Sequence, residues 1–378
     1  MSDGKESSPE TVHSSLPPTQ DDSEVEVVGT KSPSPKPAEE AQKKEKQSYM
    51  KPDPNPDPLP AQFHSDIGAQ KGWRAEVWKQ TDSLVKRGYY VNKMGIKQPL
   101  PIEEAYKGVK LYKNAGQTAT HPAGAKMCQI IVENIDCIEA AAHLAHRGLS
   151  PFMMDAASRG HFGGGYKSGS RAQEEELCRR GPLAEVVHPQ AGKLYPLAPE
   201  AGVYCPPIPF FRNGADANYS LMDAPVMIAV GAVAAWNKPN LVEDGTKLDK
   251  PEATSTREMI RTFFHMAKAN GHRSVVAVPL GCGAFRNPAT HVAEIFGSVL
   301  AEFGPFFEEV VFAVIDDHNA YHQYNPLGNF AAFGLEMLKL GGRCVGDQGQ
   351  DMTPEDLVQH ASIMRYNSPQ PKERRRRH

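Results

Sequence analysis

The sequence predicts an α/β sandwich built on a largely parallel or mixed sheet. Three observations predict it: short apolar runs of strand length recur from Lys126 onward, amphipathic stretches of helix length separate them, and glycine-rich loops follow two of the runs. Taken in order, Met127 to Val132 and Pro151 to Met154 read as buried strands, with Cys137 to His146 a helix between them. Pro225 to Val230, Ser274 to Leu280 and Val310 to Ile315 are further strands, and Thr256 to Ala269 and Ala289 to Glu302 are helices. Ahead of them, Gly72-Trp73-Arg74-Ala75-Glu76-Val77-Trp78 through Leu84-Val85 to Tyr89-Tyr90 spaces apolar groups as a helix does, and Gly88 after Lys86-Arg87 is a stop signal. The Trp and Tyr residues of this lead-in are expected to pack on the main domain. In sheets of this kind ligands collect at the carboxyl ends of strands, which directs attention to the loops after Met154 and Leu280.

At 378 residues and 40% hydrophobic, the chain suffices for one large domain or two smaller ones. A formal charge of -3 gives no global bias toward nucleic acid, and no sequence-specific nucleic-acid contact is expected. Cys128, Cys137, Cys178, Cys205, Cys282 and Cys344 are scattered, with no Cys-x-x-Cys pair, so neither a disulfide scaffold nor a zinc site is indicated. No run approaches the ~18 apolar residues of a membrane span, and no apolar stretch follows the start Met. The expectation is a soluble intracellular protein without a membrane contact.

Residues 1–60 are rich in Ser, Pro, Glu, Lys and Asp and nearly lack aromatics, and are expected to be disordered. Within them, Asp21-Asp22-Ser23-Glu24-Val25-Glu26-Val27-Val28 sets acidic residues beside a β-branched run. It suits strand addition to another protein's sheet edge, as SUMO-interacting motifs do through residues such as Val25, Val27 and Val28; a chance valine cluster is the alternative. Residues 346–378 read as a C-terminal tail. Its run Lys372-Glu373-Arg374-Arg375-Arg376-Arg377-His378 is either a nuclear-import signal, a polyanion contact or a solvated end, placing the protein in nucleus or cytoplasm.

Chemistry concentrates in two loops. The first runs from Asp155 to Ser170 and contains Gly163-Gly164-Gly165, which leave no Cβ between backbone and ligand. Alone, such a triplet is a flexible turn. Seven residues later come Gln173-Glu174-Glu175-Glu176; alone, acidic residues in a helix's first turn merely favour the macrodipole. The second loop, Pro279-Leu280-Gly281-Cys282-Gly283-Ala284-Phe285-Arg286-Asn287-Pro288, lies between a strand and a helix N-terminus and so suits an anion. It matches neither the Walker loop nor the Gly-x-Gly-x-x-Gly fingerprint. Cys282 reads as a small residue in a tight turn, since no ordered His partner is evident. Two glycine loops at strand ends, one leading to paired carboxylates, make a diphosphate site beside an acid.

Gly163-Gly164-Gly165, seven residues, then Gln173-Glu174-Glu175 resembles the signature of the poly(ADP-ribose) glycohydrolases, and the order of surrounding elements is similar to the microbial branch of that family over about residues 70 to 340. The resemblance implies a three-layer α/β/α macrodomain with a mixed central sheet, residues 121–345, after a short helical extension, residues 61–120. It implies hydrolysis of the ribose–ribose O-glycosidic bond of poly(ADP-ribose), mainly from the free chain end, without a cofactor or metal. Glu175 falls where the family has its catalytic glutamate, protonating the departing ribose oxygen and then activating water. By the same resemblance Glu174 holds the ribose hydroxyls, Gln173 orients the acidic pair, and Gly163, Gly164 and Gly165 sit against the reacting ribose. Gly281, Gly283 and Ala284 offer amides to the diphosphate, Phe285 packs on the distal ribose, and Asn287 belongs to the same substrate-binding loop. Asp155 stands where the family has an Asn that contacts the substrate, and His161-Phe162 where microbial members usually have Asn-Pro; both departures bear on substrate preference.

The chemistry adds one restriction. Glycosidases generally flank the scissile bond with two carboxylates, but neighbouring helical residues point about 100° apart and cannot straddle a bond. One glutamate must do most of the acid–base work, with a raised pKa. Asp316-Asp317-His318-Asn319 reads as polar filling of the turn after a strand, with Asn319 otherwise lining the adenosine end of the cleft. His265, His272 and His291 read as surface or satisfied histidines, and Tyr204-Cys205-Pro206-Pro207 and Trp236-Asn237-Lys238-Pro239 as loops that could wall the site. Two other activities compete: a non-catalytic ADP-ribose reader, which needs no Gln173-Glu174-Glu175, and a mono-ADP-ribosyl hydrolase.

Overall fold

The computed structural model describes residues 25–27, 55, 67–117, 120–121, 124–317 and 319–367. Its main sheet has nine strands: β1 (Val25–Val27), β4 (Lys110–Tyr112), β5 (Gln129–Glu133), β6 (Pro151–Ala156), β7 (Gly202–Arg212), β8 (Leu221–Val233), β11 (Ser274–Ala277), β12 (Glu309–Ala313) and β13 (Arg343–Val345). Two small hairpins, β2 (Tyr89–Val91) with β3 (Lys97–Pro99) and β9 (Leu241–Val242) with β10 (Lys247–Leu248), stand apart from it. The spatial order is β1-β4-β7-β8-β6-β11-β12-β5-β13. From β8 to β13 every pairing is parallel, and from β8 outward through β7 and β4 to β1 every pairing is antiparallel. This is the expected α/β fold with a mixed sheet.

The parallel half follows from the apolar runs. β11 and β12 are buried at every position, because helices cover both faces of such strands. The helices are α1 (Ile67–Arg87), α2 (Glu103–Gly108), α3 (Cys137–His146), α4 (Gln173–Arg180), α5 (Leu183–Val187), α6 (Ala191–Leu194), α7 (Lys250–Ala269), α8 (Ala289–Phe303), α9 (Gly328–Lys339) and α10 (Pro354–Asn367). Phe152, Phe263, Phe264, Phe296, Phe303, Phe312 and Phe333 stack or pack edge to face through the core.

Four expectations are corrected. Tyr204-Cys205-Pro206-Pro207 is not a loop but part of β7, which tolerates its prolines through a register shift between Cys205 and Ile208. The 61–120 stretch is not wholly helical, since it also supplies β2, β3 and β4. The 346–378 stretch contains α10, whose Leu357 and Ala361 are buried against α9, where Gly334 leaves room for Leu357. Val25, Glu26 and Val27 pair with Tyr112, Leu111 and Lys110 of β4, so part of the valine motif covers the chain's own sheet edge; Val28, the rest of the 1–60 stretch except Asn55, and the 372–378 basic run lie outside the described residues. No described helix is long and apolar enough to cross a membrane.

Helix α4 is the element to be positioned, and it starts without a side-chain cap. Arg180, 3% exposed, pairs with Asp136 Oδ2 at 2.7 Å and donates to the Arg212 carbonyl, while Asp136 Oδ1 caps α3 through the amides of Ile138 and Glu139. Arg179, fully buried, donates to the Ser170 carbonyl and Glu176. Removing one partner of such a pair strands a buried charge. Asp136→Ala is therefore expected to lower unfolding free energy by about 3–5 kcal/mol in urea titration, whereas Lys79→Ala, at an exposed pair with Glu76, should change it little.

Candidate active site

The loop after β6 and the start of α4 are built into one another. Gly163 N donates to Glu174 Oε1 at 2.8 Å, Ser158 N to Glu174 Oε2 at 3.4 Å, and Gly165 N to Glu175 Oε1 at 3.1 Å. Both glutamates are buried, at 4% and 7% exposure. Gly163 and Gly164 have φ of +79° and +50°, and a Cβ on Gly164 would lie 2.6 Å from Glu175 Oε1. The triplet therefore consists of glycines because the backbone turns left-handed while a carboxylate presses against it. Two of its amides face the acids, so the diphosphate cannot rely on them.

Gln173 bonds the end of the strand rather than the acidic pair: Nε2 donates to the Met154 carbonyl at 2.7 Å and Oε1 accepts from Ala156 N at 2.8 Å. It fixes α4 against β6, and orients the glutamates only through the backbone. Beneath the triplet, Tyr166 packs edge-on against Trp78 of α1, with ring centroids 4.6 Å apart.

The substrate-contact expectation for Asp155 is corrected. Its side chain is 1% exposed, and turns inward to a small cavity lined by Phe162, Val187, Tyr195, Cys205 and Val230. Among the described residues neither carboxyl oxygen has a hydrogen-bond partner, nor does the Tyr195 hydroxyl. Burial, with the charges of Glu174 and Glu175 behind it, raises the Asp155 pKa well above the usual range, and burial raises Glu174 to about 7. Asn287 is also corrected: it is fully buried and donates Nδ2 to the carbonyls of Trp236 at 2.7 Å and Gly281 at 3.0 Å. It ties the second glycine loop to the loop after β8 instead of facing a ligand.

The rest of that second loop stands open. Gly281 has φ +73° with Ala235 and Asn287 close against it, whereas a Cβ on Gly283 would meet nothing nearer than 4.0 Å. Among the described residues the amides of Gly283, Ala284 and Phe285 donate to no backbone carbonyl, leaving them available to an anion. Phe285 is half-buried, and its carbonyl accepts from Lys238 N at 2.8 Å. Cys282 is fully buried with its thiol pushed up by burial, in keeping with a packing role.

Of the residues read as structural, Asp316 caps α9 through the amides of Asn329 and Phe330. Asp317 Oδ1 accepts from Asn319 N, and His318 lies outside the described residues. His272 is buried against Tyr204 and His291 accepts from Leu248 N. Trp236 lies beside the second glycine loop, its carbonyl accepting from Asn287 Nδ2. What the sequence reading missed is Arg159, whose guanidinium lies 4.1 Å from the Trp236 ring and donates to the Ala234 carbonyl at 3.3 Å. No cluster of metal-ligating side chains occurs among the described residues.

Asp155 and Glu174 make stability depend on pH in one direction. As pH rises past the ordinary carboxyl range, the unfolded chain releases these protons while the folded chain keeps them, so the native state loses stability, for Glu174 up to about pH 7. Asp155→Asn, which cannot ionise, is expected to raise Tm at alkaline pH and flatten its decline; thermal denaturation over pH checks this, and an unchanged slope would refute it. Gly164→Ala, strained in φ and in contact with Glu175, is expected to cost about 1–3 kcal/mol by the same measurement.

Residues 79–213 match the family model of the microbial-type poly(ADP-ribose) glycohydrolase (PARG) catalytic domain. The chain is similar to the crystal structure of poly(ADP-ribose) glycohydrolase from Thermomonospora curvata, at 26% identity and TM-score 0.59, over 70% of this chain and 98% of that one. It is likewise similar to the enzyme of that organism bound to the inhibitor ADP-HPD, at 26% identity and TM-score 0.55, over 69% and 97%. No curated protein sequence matches significantly. The resemblance to the microbial enzymes carried by the triplet and Gln173-Glu174-Glu175, and the macrodomain-like α/β fold it implies, are borne out.

Proposed function

We propose that this chain hydrolyses the ribose–ribose O-glycosidic bond of poly(ADP-ribose), releasing ADP-ribose from the free chain end, with Glu175 as general acid and base. The observation that carries the choice of glutamate is the inequality of the pair. Glu174 has both oxygens engaged by amides, whereas Glu175 has one, and its Oε2 accepts no hydrogen bond among the described residues. The free oxygen gives its proton to the departing ribose oxygen as the bond to the anomeric carbon breaks; it then takes a proton from the water that adds to that carbon. Glu174, held rigidly, receives the ribose hydroxyls. The diphosphate takes the open amides of Gly283, Ala284 and Phe285, and the Phe285 ring packs on the distal ribose.

The site supports an enzyme over a pure ADP-ribose reader, because a reader has no use for a carboxylate wedged against Gly164. Two outer features belong to the same reading at one remove. A SUMO contact through Val25, Val27 and Val28 would use the edge of β1 that β4 leaves unpaired, and a nuclear address rests on the 372–378 basic run alone. Poly- against mono-ADP-ribose preference turns on the space beyond the reacting ribose.

Incubation with automodified polymer and with a mono-ADP-ribosylated peptide tests the proposal. Wild type is expected to release ADP-ribose from polymer, and Glu175→Gln to lose about 10²–10⁴-fold in kcat while binding ADP-ribose within a few-fold of wild type. Binding without release from either substrate would leave a reader; release from the peptide alone would make the chain a mono-ADP-ribosyl hydrolase.

A further inference from the structure

The loops after β6 and β8 meet at Arg159. It stands in the same loop as the glycine triplet, its carbonyl accepts from Leu197 N, and its guanidinium lies 4.1 Å from the centroid of the Trp236 ring. Trp236 is in turn fastened to the second glycine loop by Asn287, and Lys238, two residues on, by the Phe285 carbonyl. Arg159 is thus placed by packing on one side and by the second loop's own fastening on the other.

Its chemistry is unfinished. Arg159 is half-buried, yet it forms no ion pair with a carboxylate among the described residues; a single contact to the Ala234 carbonyl at 3.3 Å uses one of its five N–H donors. Other buried arginines are better satisfied: Arg180, Arg179 and Arg261 have the carboxylates of Asp136, Glu176 and Glu302, while Arg74 and Arg212, without carboxylates, donate at 2.8 Å to the Gly169 carbonyl and to the Thr81 hydroxyl and Tyr219 carbonyl. A guanidinium partly withdrawn from water without a counter-anion is costly, and two oxygens of a phosphate supply the bidentate acceptor that its planar fork fits. The first loop offers an anion little else, because the amides of Gly163 and Gly165 are already donated to the glutamates.

We propose that Arg159, held on Trp236, binds a phosphate of the substrate's diphosphate and makes the site selective for pyrophosphate-linked nucleotides. The proposal rests on the ADP-ribose reading above and names the side chain that supplies positive charge to the diphosphate, beside the backbone amides of the second loop. Arg159 is a binding residue and takes no part in proton transfer.

Calorimetric titration of the full chain with ADP-ribose tests it, with Arg159→Gln and Arg159→Lys beside wild type and thermal melting to verify folding. Arg159→Gln is expected to weaken binding about 10–100-fold, the range for a charge-assisted contact. The salt dependence of binding should shrink with it, and on polymer KM should rise more than kcat falls. Arg159→Lys, which keeps the charge but not the fork, is expected to recover part of the affinity. Arg159→Gln binding within twofold of wild type overturns the assignment, as does equal loss in both variants, which would make the contribution one of packing on Trp236. Failure of wild type itself to bind ADP-ribose is a different result, since it removes the parent reading as well.

Discussion

The site depends on a reciprocal contact: two adjacent glutamates at the start of an eight-residue helix accept hydrogen bonds from the glycine loop that precedes them. A helix start leaves unpaired amides that favour acidic groups, and Ala172 at the cap position provides no side chain for them. Here the glutamates turn back to the preceding loop, so loop and helix order each other. Carboxylates buried to this degree need such donors, because an unpaired buried charge is expensive. Gln173 completes the lock by bonding the Met154 carbonyl and the Ala156 amide near the end of β6.

The helical extension is part of this lock rather than an appendage. From α1, Arg74 donates to the Gly169 carbonyl and Thr81 to the Arg179 carbonyl, while Arg212 of β7 donates to the Thr81 hydroxyl. Gly169 has φ +80°, and a Cβ there would lie 2.0 Å from the Lys71 carbonyl oxygen, so α1 runs directly over the loop. With Trp78 against Tyr166, α1 holds the middle of the 163–172 segment, and α4 holds it on either side, at Gly163, Gly165 and Ser170. Three buried arginines, Arg179, Arg180 and Arg212, tie these elements together by donating to the carbonyls of Ser170, Arg212 and Tyr219. Such groups specify geometry more than they add stability.

Much of this was legible in the chain. Continuous apolar runs announce parallel strands because both faces are covered, and the interleaved helices follow from their period. β7 was hidden by Pro206, Pro207 and Pro209, which argue against a strand in one dimension but are accommodated at a register shift in three. The glycine triplet and Gln173-Glu174-Glu175 were legible as a spacing, whereas the direction of the Asp155 side chain was not. Its strand is buried on both faces, so no alternation marks which way a polar residue points. Arg159 and Trp236 were beyond sequence reasoning for a simpler reason: 77 positions separate two residues whose contact arises from the adjacency of β6 and β8.

Glu174 and Glu175 are the same side chain one position apart, and their difference comes from the loop. Neighbouring helical residues project about 100° apart, so a single surface cannot satisfy both; the loop must wrap the helix start, and its left-handed turn at Gly163 and Gly164 does so. The wrap presents two amides to Glu174 and one to Glu175. The unequal count leaves Glu175 Oε2 without a hydrogen bond among the described residues. The absent Cβ of Gly164 is what lets that carboxylate approach the loop at all, which makes the middle glycine as much a determinant of the arrangement as the glutamate's own side chain.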